Sequence, residues 1–197
     1  MSAVGISPPE PQGGRSAPST AGAGLPGNLM MWVLIASELL AFGGFFIAFA
    51  VSYAGDPALF RAGQAQLDRR LGVINTLVLL TSGLFAALAV RARHDGDVRA
   101  TRGWLALAAA LGLLFLGVKA AEYAKKIAHG LTITTDSFFE LYYLLTGFHA
   151  LHVVAGIVIL ALVAWRCSAD NVETGVAFWH MVDLVWVLLF PIVYLLR

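Results

Sequence analysis

Hydrophobic residues do not alternate along this chain; after residue 28 they form five long runs, 29–53, 71–90, 103–121, 141–165 and 176–196, each nearly free of charge. A hydrocarbon core of roughly 30 Å needs about 20 predominantly apolar helical residues to cross it. Each run therefore predicts one membrane-spanning helix. Strands of a transmembrane barrel would alternate over about 10 residues, and in lipid a continuous apolar segment must pair its backbone amides within its own helix. The expected fold class is an all-α membrane protein, a five-helix transmembrane bundle over 29–197. The segments between the runs are short, so successive spans should be antiparallel, and an odd number of them puts the two termini on opposite sides of the membrane.

Ahead of the first run, residues 1–28 hold five of the seven prolines and six of the twenty glycines, with Ser and Ala between them. Such a segment buries too little apolar surface to offset the entropy of ordering it, so a disordered tail is expected. It lacks the basic start and short apolar run of a cleaved signal peptide. The first span is therefore expected to be retained and to serve as the insertion signal.

Composition sharpens this picture in two ways. With 59% hydrophobic and 13% charged residues, a soluble domain would expose more apolar surface than it could cover. The 13 basic and 12 acidic residues are scattered over separate loops instead of forming one basic stripe, which argues against nucleic acid as a partner. A single cysteine, Cys167, excludes an intrachain disulfide and a cysteine-based metal cage. Lys and Arg are almost evenly divided between the two sets of loops: Arg15, Arg91, Arg93, Arg99, Arg102 and Arg166 on the N-terminal side, and Arg61, Arg69, Arg70, Lys119, Lys125, Lys126 and Arg197 on the other. The densest short loop, from Arg91 to Arg102, lies on the N-terminal side, which by the positive-inside rule favours a cytoplasmic N-terminus.

The chemistry is carried by a few polar residues inside the spans, where an ionisable side chain costs a few kcal/mol and turns inward to a partner or to water. These are Glu38 in the first span, Asn75 and Thr76 in the second, Lys119 and Glu122 at the end of the third, His149 and His152 in the fourth, and His180 and Asp183 in the fifth. Residues three apart share a helix face, which pairs His149 with His152, His180 with Asp183, and Lys119 with Glu122. Three histidines and nearby carboxylates are the donor types of a nitrogen and oxygen metal site. The same residues also suit a structural role, each His donating across a helix interface and fixing the packing register. Glu38 is open to the same two readings, a proton-relay carboxyl or a hydrogen-bonded interface residue. No phosphate-binding loop, nucleophile elbow or zincin motif is present. A small transporter would be expected to show an internal repeat or broken helices, and neither is visible.

Five motifs on the five successive spans resemble the subunit III family of haem–copper terminal oxidases, which use cytochrome c or quinol. They are Ala36-Ser37-Glu38; Ile74-Asn75-Thr76 with Leu79-Leu80-Thr81-Ser82; Glu122-Tyr123, placed just after the third span; Thr146-Gly147-Phe148-His149-Ala150-Leu151-His152-Val153; and Phe178-Trp179-His180-Met181-Val182-Asp183-Leu184-Val185-Trp186. The family's Gly between the two histidine pairs is Ala150 here. The resemblance implies an accessory subunit that is not catalytic alone and holds no haem or copper. It would pack beside the catalytic haem–copper subunit I and other oxidase subunits, sustaining proton uptake and the durability of turnover. By motif, Glu38 corresponds to the family's buried carboxyl near bound phospholipid, and Glu122, His149, His152, His180 and Asp183 to its polar interhelical residues.

Long members of the family have seven helices, and this chain matches the last five, which puts a complete lipid cleft in doubt. Five-helix forms occur in bacterial quinol oxidases and with nitric oxide reductase, so an accessory role in the latter system is the alternative. An independent His-ligated metal or haem protein is a further one. The family topology implies a multi-pass protein of the bacterial inner membrane with a cytoplasmic N-terminus. It also lays the first two spans against the catalytic subunit, and the small residues Gly43, Gly44 and Ala48, with Gly72 and Gly83, are of the kind that lets helices approach in lipid.

Overall fold

A computed structural model describes residues 29–196 in backbone and 32–196 in side chain; the expected tail at 1–28 lies outside the described residues. Among these, six helices run in order: α1 (Leu29–Gly55), α2 (Pro57–Ala65), α3 (Arg69–His94), α4 (Val98–Ala128), α5 (Ser137–Arg166) and α6 (Ala169–Tyr194). All but α2 are long and apolar enough to cross a membrane. The described residues are all-helical with five candidate spans, as the hydrophobic runs predict.

Several boundaries differ from the sequence expectation: α5 starts at Ser137 instead of 141 and α6 at Ala169 instead of 176, and two further differences bear on the site. The loop expected at 54–70 contains α2, a single short helix. The third span was expected to end at 121, but α4 continues to Ala128, so Glu122 and Tyr123 lie inside the helix and not after it. In α4 polar residues continue the helix beyond the hydrophobic run that marks the span, whereas α2 is a separate helix started by its own cap, Asp56.

Aspartates set the helix starts. Asp56, Asp68, Asp97 and Asp136 each stand at an N-cap and accept the backbone N–H three residues on, at 3.0, 3.1, 2.9 and 2.9 Å, which satisfies one of the otherwise orphaned donors of a first turn. At the opposite ends, Arg93 Nε donates to Cys167 O at 2.8 Å, and Arg102 donates to Ala164 O and Trp165 O. These guanidiniums neutralise the exposed carbonyls where α5 ends. The turn after α3 is closed by Gly96 at φ 81°, a conformation that only glycine adopts without penalty.

α3, α4, α5 and α6 close into a four-helix bundle in which each helix packs on its two neighbours, while α1 lies outside on α5 and α6. Trp179 is the centre of this bundle. Its Nε1 donates to Ser82 Oγ at 3.1 Å, and Ser82 Oγ donates to Ala108 O at 2.7 Å, which ties α6, α3 and α4 together. The ring fits because Gly112 and Gly156 give way: a Cβ at either would lie 2.6 Å from a ring carbon. Asn75 Nδ2 donates to Phe115 O at 3.3 Å, and Trp186 Nε1 to Thr76 Oγ1 at 3.0 Å. Short polar side chains thus join helices across lipid-embedded interfaces, where apolar burial offers little selectivity.

Candidate functional site: three polar places in the bundle

The end of the bundle that carries α2 holds the densest polar network. Lys119, Glu122 and Lys126 follow one face of α4 at spacings of three and four, and all three are buried. Lys119 Nζ donates to Glu122 Oε2 at 2.9 Å, to Tyr142 Oη of α5 at 3.1 Å and to Tyr194 Oη of α6 at 3.0 Å. Both tyrosines pass the contact on, donating to Glu122 Oε1 at 3.1 and 3.0 Å. Lys126 Nζ completes the set with a bond to Glu122 Oε1 at 2.8 Å. One carboxylate therefore serves two ammonium groups and two phenols from three helices. Aromatic faces enclose Lys119, with the Tyr142 ring centre at 5.1 Å and that of Trp186 at 5.5 Å, adding cation–π attraction in a dry setting.

A second place lies between α1 and α5. His152 Nδ1 sits 2.8 Å from Phe148 O of its own helix, and Nε2 approaches Glu38 Oε2 at 2.8 Å. The latter contact is close but is not aligned as a hydrogen bond. The Nδ1 edge of the ring thus faces the carbonyl and the Nε2 edge faces the Glu38 carboxyl. Both side chains are partly open, at 15% and 19% exposure, because α1 is the outermost helix.

The third place is on α6. Asp183 is buried against Gly83 of α3, and its Oδ1 has no hydrogen-bond partner among the described residues. His180 Nδ1 stands 3.9 Å from Asp183 Oδ2 while the imidazole is half exposed on the outside of the bundle. His149 joins none of these. It is fully buried, and its ring lies among Phe42, Phe115 and Trp186, with Trp186 at 5.1 Å between centroids.

The residues expected as one polar interhelical set thus occupy separate places: Glu122 at the α2 end, His152 with Glu38, His180 with Asp183, and His149 alone. Among the described residues, no group of three or more His, Cys, Asp or Glu side chains is placed to hold one metal ion. Sequence reasoning missed Lys126, Tyr142 and Tyr194. Lys126 carried a signal, four residues after Glu122, which the expected helix end at 121 hid. Of the small residues proposed for an outer interface, Gly43, Gly44 and Ala48 do face outward, with nothing within 4 Å of a Cβ at either glycine. Gly72 and Gly83 do not: they face inward, against Phe190 and Asp183 of α6.

A bundle of five candidate spans with its most deeply buried charges, Lys119, Glu122 and Lys126, paired inside it defines a multi-pass helical membrane protein. The sequence model of the family described as "Cytochrome c oxidase subunit III" matches residues 19–197. The chain is 34% identical over 177 residues to cytochrome c oxidase subunit 3 of Thermostichus vulcanus, covering 85% of this chain and 86% of that protein. It is 31% identical to the same subunit of Corynebacterium diphtheriae over 84% of this chain and 85% of the relative. For the subunit of Synechocystis sp. the identity is 32%, over 83% and 73%. The chain belongs to the cytochrome c oxidase subunit III family, and the role that membership carries is that of an accessory subunit of a terminal oxidase, set among its other subunits.

Proposed function

We propose that this chain works without a redox cofactor of its own, seated against the haem- and copper-bearing subunit I of the oxidase, where it sustains proton uptake and the durability of turnover. The observation that supports this reading is the division of labour inside the bundle. Its deeply buried charges, Lys119, Glu122 and Lys126, are consumed by contacts among α4, α5 and α6, while α1 turns an unpacked face outward. On that face Leu40, Ile47 and Val51 are 80%, 67% and 67% exposed, with Gly44 and Ala48 between them, so a partner helix can approach closely. Glu38 sits beside it, paired with His152, where a proton or a phospholipid headgroup at the subunit boundary would meet it.

The membrane is the bacterial inner membrane, with the N-terminus in the cytoplasm. The densest short loop of basic residues, from Arg91 to Arg102, lies on the N-terminal side of the spans, which is the side the positive-inside rule puts in the cytoplasm.

The test is copurification from native membranes with tagged wild-type and Gly44→Leu chains. Wild type should bring down a haem-containing subunit, while Gly44→Leu should lose it and remain inserted. The oxidase left behind should keep its haem spectrum and initial rate but inactivate sooner during turnover. Equal recovery would move the interface off α1. Haem or copper retained by the isolated wild-type chain and lost in His149→Ala would overturn the cofactor-free reading.

A further inference from the structure

At the α2 end the helices part around a cavity of about 460 Å³. One wall is the connection from α2 to α3, with Gln66 and Asp68; the other is the final stretch of α4, with Glu122, Lys125, Lys126 and His129. This volume is within the range of small-ligand sites.

The charges around it are unevenly satisfied. Asp68 is engaged as the cap of α3, accepting Leu71 N–H at 3.1 Å, where the positive end of the helix dipole offsets its charge. Glu122 is shared between Lys119 and Lys126 and also accepts from two tyrosines. Lys126 is the exception. An ammonium group has three donors, and this one makes a single hydrogen bond, to Glu122, although the residue is only 6% exposed and lines the cavity. Lys125 stands exposed at the rim, and His129 holds its Nδ1 2.7 Å from Lys125 O, which leaves Nε2 for another partner. With Lys119 behind the wall, three lysines oppose two carboxylates, and a cleft lined by an excess of one sign of charge concentrates ions of the other.

We propose that this cavity is a binding site for a phosphate-bearing anion, anchored by Lys126 and closed at the rim by Lys125 and His129. A phosphate has enough oxygens to take the unused donors of Lys126 and still reach the rim. The site is distinct from the Glu38 and His152 pair, which lies between α1 and α5. Two sources share this chemistry, the headgroup of an anionic phospholipid and free phosphate.

The experiment uses the intact complex carrying wild type, Lys126→Gln, or Lys125→Gln with His129→Gln. The double variant alters exposed residues only, so it keeps the bundle intact even if Lys126→Gln weakens it. In one arm, inorganic phosphate is titrated calorimetrically into delipidated complex. In the other, native mass spectrometry counts phosphatidylglycerol retained from nanodiscs of phosphatidylcholine doped with it. Saturable phosphate binding supports the soluble source, and retention of one phosphatidylglycerol per chain supports the headgroup. In either case the variants should bind about tenfold more weakly for each charge-assisted bond removed. Failure of both arms with wild type, or equal binding by the double variant, would overturn the proposal.

Discussion

α1 and α6 have nearly the same mean hydropathy and opposite fates: 61% of the most apolar stretch of α6 is buried inside the protein, against 11% for α1. Hydropathy decides that a segment enters lipid, but it does not decide which neighbour the segment chooses, because lipid tails and leucines are alike to it. The choice comes from shape and from hydrogen bonds. α6 carries Trp179, Trp186 and Tyr194, each with a polar tip that finds a partner on another helix, and Gly112 and Gly156 make room for the Trp179 ring. α1 has Gly43 and Gly44, but among the described residues nothing lies within 4 Å of a Cβ built at either.

The most severe way to break this contrast is to remove the carboxylate that the α6 side depends on. Glu122→Gln leaves two buried ammonium groups without a counter-charge and should destabilise the bundle by about 3–5 kcal/mol. Glu38→Gln, on the α1 side, should cost about 1 kcal/mol or less because that pair is partly open. Unfolding titrations in mixed detergent would compare them, and similar losses would erase the distinction. Next in size is crowding: Gly112→Val drives a branched side chain into the Trp179 ring and should cost about 1–3 kcal/mol. Gly44→Leu, facing open space, should stay within about 0.5 kcal/mol of wild type in the isolated chain. Thermal midpoints in one detergent would show it.

Comparable in size is Trp179→Phe, which deletes the donor to Ser82 and empties part of the space between Gly112 and Gly156, and should lower stability by about 1–3 kcal/mol. The mildest probe changes no residue. A hydrophobic carbodiimide arriving from lipid should couple to Glu38, which is partly open, and spare Glu122, which is enclosed; peptide mass spectrometry reads the ratio. Equal modification of both would mean that the α2 end is looser than its network implies.

The five spans were legible because their cause is direct: length against bilayer thickness, and charge depletion against desolvation. α2 was not, since nine residues with three buried positions, Phe60, Gly63 and Gln64, show their purpose only once Phe138 of α5 is seen against Gly63. The pairing of Lys119 with Glu122 could be read from spacing alone. Tyr142 and Tyr194 could not, because nothing local records which helix ends converge. For the histidines the spacing rule was too coarse. Three residues turn a helix through about 300°, leaving about 60° between the two directions. That angle is enough to send His152 to Glu38 on α1 and His149 to the aromatic centre.

The arrangement of Lys119, Glu122 and Lys126 on one helix also bears on how the chain is made. Because the acid and both of its bases belong to α4, this span can enter the bilayer with those charges already paired, before either tyrosine has reached it. A version with Glu122 on another helix would ask α4 to enter the bilayer with Lys119 and Lys126 unpaired. Tyr142 then arrives with α5 and Tyr194 with α6, so the network closes in the order of translation, and its last bonds form only when the sixth helix has docked.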